Sequence, residues 1–177
     1  PTVEDKIVND KKEALKISTQ LVFSLINSFE QKVEKGTLSL EEAQKIVKEQ
    51  VRALRYHEKE YFWIHGMDLK MIMHPVKPEL DSTDISQMKD PNGVFLFREM
   101  NKVIDENGAG YVFYMWPRAG ESMPIEKLSY VQLHKKWGWV VGTGVYIDDI
   151  RAEARAFKIK IWSLFLSVLL VVLIYSL

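Results

Sequence analysis

The chain has 177 residues, of which 47% are hydrophobic and 27% are charged, and these proportions are typical of a single globular domain with one sizeable core. Lysine plus arginine and aspartate plus glutamate both total 24, so no excess of positive charge favours a nucleic acid as partner. The absence of cysteine excludes disulfides, thiolate nucleophiles and cysteine-ligated metal sites.

Two amphipathic helices are expected at the start of the chain. The first extends from residue 3 to about residue 33, because apolar side chains recur there every seven positions. The recurring residues are Val8, Leu15, Val22 and Phe29. Gly36 is expected to end this helix, and Ser39 with Glu42 forms a capping box for a second helix that ends near Tyr56.

Five strands follow, because the hydrophobic period changes from 3.6 to 2. They are expected at residues 61–65, 71–74, 111–116, 127–133 and 139–146. Connections of hairpin length predict antiparallel pairing. A long loop after the second strand either covers a pocket or is a plain surface connection. It leads into a short helix that starts at Leu96 and ends at Asn107 and Gly108.

The last part of the chain is apolar, with no charged residue from Ile161 to Leu177. As a helix this run would span about 26 Å, slightly less than the roughly 30 Å hydrocarbon layer of a bilayer. We expect a transmembrane helix that the end of the chain cuts short, and the alternative is a buried core helix. The helix is expected to begin at Asp148 or Asp149 as N-cap and to continue unbroken into this run.

Motifs of common enzyme classes are absent from the sequence, including Gly-x-Ser-x-Gly, the Walker loop, the dinucleotide fingerprint and His-Glu-x-x-His. The spacing of the four histidines matches no metal signature. These histidines are His57, His65, His74 and His134. Asp148 and Asp149 fit the start of a helix better than a pair of catalytic carboxylates. We therefore predict no catalytic residue, no metal site and no cofactor.

Six segments, taken in their order along the chain, carry a resemblance to a known family. They are Tyr61–Ile64, Met73–Pro75, Asp90–Gly93, Tyr114–Pro117, Lys127–Tyr130 and Trp137–Asp149. Together they make the chain from about Arg55 to Asp149 similar to the small single Cache domains, the extracytoplasmic sensor modules of bacterial chemoreceptors and sensor kinases. The resemblance implies an α+β fold: a PAS-like five-stranded antiparallel sheet with a long N-terminal helix behind it and a small-molecule pocket on one side.

The resemblance also implies a short carboxylate as ligand, such as acetate, propionate, pyruvate or lactate. A buried anion needs donors, because losing its hydration costs several kcal/mol. We expect Lys127 to supply the charge, and Tyr114 and His74 to supply hydrogen bonds. The apolar wall that accepts a methyl group is expected to consist of Trp63, Met73 and Trp116.

Each of these assignments has a structural alternative. Aromatic residues at alternate strand positions also build ordinary cores. Lys127 is alternatively solvated, and His74 alternatively satisfies local backbone groups. Arg55 is either a second cation for a carboxylate or, as we favour, a surface residue that neutralises a helix C-terminus. Gly142 and Gly144, inside the last strand, mark a bulge or a close approach of backbone.

The expected function is that of a sensor domain in a chemoreceptor or sensor histidine kinase. Its parts are a helical portion (1–57), a ligand-binding portion (58–149) and a connecting and membrane helix (150–177). The alternative from another class is a ligand-independent, membrane-tethered dimerisation module built on the heptad-like stripe of the first helix. We expect a homodimer in either case, and no enzyme.

Two features of the sequence indicate opposite orientations in the membrane. Basic residues beside the apolar run indicate the cytoplasmic side by charge alone. They are Arg151, Arg155, Lys158 and Lys160. The family resemblance implies instead a periplasmic or extracellular domain anchored in the cell inner membrane, with a first membrane helix before Pro1, and we follow the resemblance.

Overall fold

A computed structural model describes residues 2–56 and 60–175. Outside the described residues lie Pro1, the segment 57–59 and the last two residues of the predicted membrane helix. His57 and the expected boundary between residues 57 and 58 also fall there.

The described chain contains four α-helices, five strands and one short 3-10 helix. In chain order they are α1 (Val3–Glu34), α2 (Leu40–Ala53), β1 (Phe62–Gly66), β2 (Met71–Met73), the 3-10 helix (Pro78–Leu80), α3 (Leu96–Asn107), β3 (Ala109–Pro117), β4 (Pro124–His134), β5 (Trp139–Tyr146) and α4 (Ile147–Tyr175). The strands form one sheet in the order β2-β1-β5-β4-β3, and every neighbouring pair is antiparallel. The predicted α+β class with a five-stranded antiparallel sheet is confirmed.

The helix boundaries follow from local capping. The Ser39 hydroxyl accepts from the backbone N–H of Glu42, whose carboxylate accepts from the backbone N–H of Ser39. Thr2 and Asp5 form the same reciprocal box at the start of α1. Gly36 follows α1 with φ of 69°, a left-handed conformation that favours glycine.

The apolar stripe of α1 packs against the chain's own sheet. Leu15, Val22 and Phe29 are buried, in clusters that contain Leu128 of β4 and Val141 of β5. The heptad-like stripe, which suggested a ligand-independent dimerisation module, is therefore buried within a single chain. A stripe of this width serves a sheet as readily as a partner helix.

The sheet separates two cores. One face is covered by α1 and α2, and the opposite face by α3 and the loop of residues 74–95, which we call the covering loop. Ile85 of this loop is 1% exposed and packs with Phe97 and Met100 of α3. The loop is therefore part of the fold and not a plain surface connection.

Met73 lies on the face of the sheet that α1 and α2 cover, so the prediction that it belongs to the apolar wall of the ligand site is wrong. A register shift in the β1–β2 pair puts Ile64 opposite Met73 and His65 opposite Met71, with Ile72 as the extra residue. Because a bulge reverses the alternation of side chains, Met71 faces α3 while Met73 packs with Ile64 and Phe62.

Helix α4 follows β5 without a connecting loop. It begins at Ile147, so Asp148 and Asp149 lie in its first turn and neither is the N-cap that the sequence predicted. Its apolar half is exposed, and the helix is long and apolar enough to cross a membrane, with mean hydropathy 2.2 in its most apolar window. Its exposure contradicts the alternative of a buried core helix.

Candidate ligand-binding site

Lys127 occupies a buried position in the middle of the sheet. On β4 it lies opposite Tyr114 of β3 and Tyr146 of β5, and its side chain is 1% exposed. The ammonium nitrogen lies 4.3 Å from the ring centre of Tyr61, 4.9 Å from that of Tyr146 and 5.8 Å from that of Trp63. Aromatic faces attract a cation, so three rings form a cage around the charge. The solvated alternative for Lys127 is therefore wrong.

The ammonium is stabilised by few hydrogen bonds and by one buried acid. Lys127 Nζ donates to the Tyr61 hydroxyl over 3.3 Å. Burial lowers the pKa of Lys127 to about 8, although the nearby Glu60 carboxylate opposes this shift. Burial raises the pKa of Glu60 in turn, and the Lys127 charge opposes that rise. A cation in such surroundings gains from a second anion that brings acceptor oxygens.

Beside Lys127 lies an aromatic cleft between the sheet, α3 and the covering loop. Its lining residues are Tyr61, Trp63, His74, Leu96, Phe97, Tyr114 and Trp116. The space between these side chains is nowhere wide enough for a water molecule. The cleft is thus closed, whereas the resemblance implied a pocket, and a ligand would have to move lining side chains apart.

His74 has the local role considered from sequence, because its ring satisfies nearby backbone groups. Its Nδ1 accepts from the backbone N–H groups of Val76 and Lys77 over 3.3 and 2.9 Å. Burial lowers the pKa of His74 to about 3, so the ring is neutral and its proton is on Nε2. The ring lies against those of Tyr61 and Trp116, with centroids 5.2 and 5.7 Å apart. One nitrogen therefore satisfies the backbone, and the other is a donor.

Tyr114 and Trp116 share a face of β3, as expected from alternation. The Tyr114 hydroxyl lies 3.0 Å from Ser129 Oγ, and Trp116 Nε1 donates to the Tyr61 hydroxyl over 3.0 Å. Lys77 of the covering loop lies over the Trp116 ring, 5.0 Å from its centre. Polar atoms and apolar ring faces therefore alternate around the cleft.

The two glycines in β5 make room for site side chains. The pairing of β5 with β4 is continuous through both glycines, and its pairing with β1 is continuous through Gly142, so no bulge occurs. A Cβ on Gly142 would overlap the indole of Trp63, and a Cβ on Gly144 would meet Ser129 and the stem of Lys127. The sequence alternative of close approach is the correct one, and the approaching groups include side chains.

The structure brings together Lys127, Tyr114, His74, Trp116 and Trp63, and excludes Met73. Sequence reasoning missed three contributors: Tyr61, Tyr146 and the buried Glu60. Tyr61 could have been found, because it lies two residues before Trp63 and so shares its face. Tyr146 could be found only from the pairing register of β4 and β5, which places it opposite Lys127.

Arg55 has the role we favoured. Its Nη1 donates to the carbonyl oxygens of Arg52 and Leu54 at the end of α2, and its side chain is not among those lining the cleft. A cation in this position offsets the negative end of the helix dipole.

The chain thus combines a sheet with helices behind it, a closed cleft with a caged cation in front of it, and a membrane-length helix after its last strand. Residues 7–160 match the model of the family described as Single Cache domain 2. The chain belongs to this family.

Curated relatives include chemoreceptors and a kinase. The chain is 51% identical over 118 residues to the methyl-accepting chemotaxis protein McpP of Pseudomonas putida, a match over 67% of this chain and 22% of McpP. It is 29% identical over 155 residues to the sensor histidine kinase MctS of Rhizobium johnstonii, a match over 88% of this chain and 33% of MctS. The chain therefore spans a third or less of the length of these relatives.

Solved structures show the same fold. A Cache chemosensory domain, described as the structural basis for carboxylic acid recognition, has TM-score 0.77 and 38% identity, over 80% of this chain and 97% of that one. A periplasmic sensor domain of a chemotaxis protein has TM-score 0.76 and 36% identity, over 78% of this chain and 96% of that one. The organisation predicted from the sequence motifs is confirmed as that of a Cache sensor domain.

Proposed function

We propose that this chain is the extracytoplasmic sensor domain of a transmembrane chemoreceptor and that it binds a small carboxylate of the acetate, propionate, pyruvate or lactate class. The observation that carries the proposal is the Lys127 ammonium, which is buried among aromatic rings beside a cleft. A carboxylate complements this cation, and the rings around it suit a methyl group. The similar Cache domain described as recognising carboxylic acids supports the ligand class.

Size and chemistry restrict the ligand further. The narrow cleft favours a molecule of two to four carbons, since each added atom requires further movement of packed rings. At about 1.5 kcal/mol per heavy atom, acetate reaches at most about 6 kcal/mol, a Kd in the tens of micromolar. We expect micromolar to millimolar affinity, and recognition without turnover.

Within the proposed receptor, residues 58–149 form the ligand-binding portion, residues 1–57 the helical portion behind it, and residues 150–177 the connecting and membrane helix. The domain lies on the periplasmic side of the inner membrane, and the periplasmic sensor domain of similar fold supports this orientation. The orientation by charge alone is outweighed by this similarity.

Two further points of the proposal concern the output and the assembly. The similarity to MctS supports a sensor histidine kinase as the alternative receptor type, and the sequence that follows the membrane helix distinguishes the two.

A homodimer is proposed through the outer side of α1, where Ile17 and Leu21 are 49% and 69% exposed. Sedimentation with and without ligand tests whether assembly depends on the metabolite.

The function is tested by titration calorimetry of the purified chain in lipid nanodiscs with acetate, propionate, pyruvate and lactate. We expect at least one of them to bind with 1:1 stoichiometry per site. Matched neutral amides of the same acids are the control, because they keep the shape and lose the charge. Equal binding of an acid and its amide, or no binding of any acid, would contradict the proposal.

The affinity for a carboxylate is expected to fall as pH rises through about 8. Burial lowers the pKa of Lys127 to about 8, so its ammonium deprotonates in this range while the ligand stays ionised. Each further pH unit then weakens binding up to about tenfold. Calorimetry between about pH 6 and about pH 10 measures this. A flat profile over that range would show that Lys127 does not supply the charge.

Arg118 is expected to connect the site to the membrane helix. Its guanidinium donates to Asp149 over 2.8 Å and to Asp148 over 2.6 Å, and it lies 4.3 Å from the ring centre of Tyr146. The Tyr146 ring lies 4.9 Å from the Lys127 ammonium, and Tyr146 is followed directly by α4. Movement of the caged cation on binding is thus relayed to the first turn of α4.

The variant Arg118→Gln is expected to bind the ligand within about twofold of the original affinity and to lose the ligand-induced change in α4. Hydrogen exchange of residues 147–154 with and without ligand measures that change. Arg151→Gln is the matched control, since Arg151 forms longer, exposed ion pairs of 3.7 Å with Glu4 and Glu126. A ligand response in Arg118→Gln equal to that of the unaltered chain would disprove the connection.

A further inference from the structure

We propose that Arg52 and Asp81, which do not line the cleft, are positioning residues that hold His74 in its ligand-binding orientation and tautomer. The inference rests on the proposed function, since it assigns to the pair a role in binding the carboxylate. It concerns the edge of the sheet, where the chain leaves β2 and enters the covering loop.

Both backbone polar groups of His74 are bound by the side chains of this pair. The His74 backbone N–H donates to Asp81 Oδ1 over 2.7 Å, and its carbonyl accepts from Arg52 Nη1 over 3.2 Å. Arg52 Nη2 in turn forms an ion pair with Asp81 Oδ2. The three residues therefore close a ring of hydrogen bonds that leaves the peptide groups of His74 little freedom.

The pair joins two layers of the fold. Arg52 comes from the last turn of α2, on the side of the sheet that α1 and α2 cover. Asp81 comes from the covering loop just after the 3-10 helix. β2 is the edge strand, so the Arg52 side chain reaches around the sheet edge to the loop. Both side chains are about a quarter exposed, at 26% and 25%, and an ion pair at this depth is stabilised more than one in bulk water.

Fixing the backbone of His74 fixes what its ring can do. With the peptide held, the backbone N–H groups of Val76 and Lys77 point at Nδ1, so the neutral ring carries its proton on Nε2. The positive charge of Arg52 also helps to keep the pKa of the ring low, after burial and the charges of Lys127 and Lys77. The result is a neutral donor between the rings of the cleft.

Three variants test the inference in the full chain: Arg52→Gln, Asp81→Asn and their combination. We expect each single change to weaken binding of the best carboxylate found by calorimetry about tenfold, and the combination to weaken it no further, because the residues act as one unit. Arg55→Gln is the matched control from the same helix end and should leave affinity unchanged. Additive losses, or single variants with unchanged affinity, would overturn the inference.

A second readout separates positioning from mere structural support. In a chain that already carries His74→Ala, Arg52→Gln should cause no further loss of affinity, whereas an equal loss would show that the pair acts elsewhere. The ¹⁵N spectrum of the His74 ring is expected to show the Nε2–H tautomer in the unaltered chain and a mixture of tautomers in Asp81→Asn. This spectrum needs no ligand, so it decides the inference even if no carboxylate binds and the proposed function fails.

Discussion

Lys127→Met is expected to weaken carboxylate binding by about a hundredfold or more. The ligand would enter a buried aromatic cleft without its only expected cationic partner, and truncating one member of a buried, hydrogen-bonded charge pair costs about 2 to 5 kcal/mol. Methionine keeps most of the stem length and adds no polar atom, so the core around position 127 stays filled. Calorimetry with the best acid ligand measures the loss.

The control for this variant is Lys135→Met in the exposed turn between β4 and β5. It removes the same charge from the same hairpin and should leave affinity unchanged. Thermal unfolding of Lys127→Met should show a lower melting temperature than that of the unaltered chain, because the buried Glu60 carboxylate loses the charge that offsets its burial, so calorimetry is run at a temperature at which the variant is folded. If Lys127→Met bound the acid as tightly as the unaltered chain, the site assignment would be wrong.

Gly142→Ala is expected to destabilise the domain by about 2 to 3 kcal/mol and to reduce binding together with stability. The added methyl group would overlap the Trp63 indole. Trp63 cannot simply rotate away, because its Nε1 donates to His65 Nδ1 over 3.1 Å and His65 Nε2 lies 3.0 Å from Asn101 Oδ1 of α3. Urea denaturation measures the loss of stability.

A compensating change makes this second prediction specific. Combining Gly142→Ala with Trp63→Leu should cost less stability than the sum of the two single changes, since the smaller side chain leaves room for the methyl group. It should not restore the affinity, because the aromatic wall and one ring of the cation cage are lost. Full recovery of affinity in the double variant would contradict the role given to Trp63.

The fold was largely predictable because its signals are local. Capping residues such as Ser39 and Glu42 act within one turn, and the alternation that places Tyr114 and Trp116 on one face needs only the strand itself. The start of α4 was misplaced by one or two residues, because Ile147 enters the helix directly from β5 and leaves no loop for an N-cap.

The site was predictable only where the strand pattern was regular. Met73 was misplaced because the bulge at Ile72 depends on pairing with β1, which no single-strand pattern contains. The burial of Lys127 depends on the rings of Trp63 in β1 and Tyr146 in β5, and Trp63 is distant from Lys127 along the chain. The stripe of α1 was ambiguous for another reason: a sheet and a partner helix select the same apolar spacing.

The central claim is that the caged ammonium of Lys127 binds the carboxylate of a small acid inside the aromatic cleft. A crystal structure of the chain with its best acid ligand tests it most directly. The account predicts a carboxylate oxygen about 2.7 to 3.0 Å from Lys127 Nζ, with the apolar end of the ligand against Trp63 and Trp116. A ligand bound outside this cleft, or inside it with no contact to Lys127, would contradict the account.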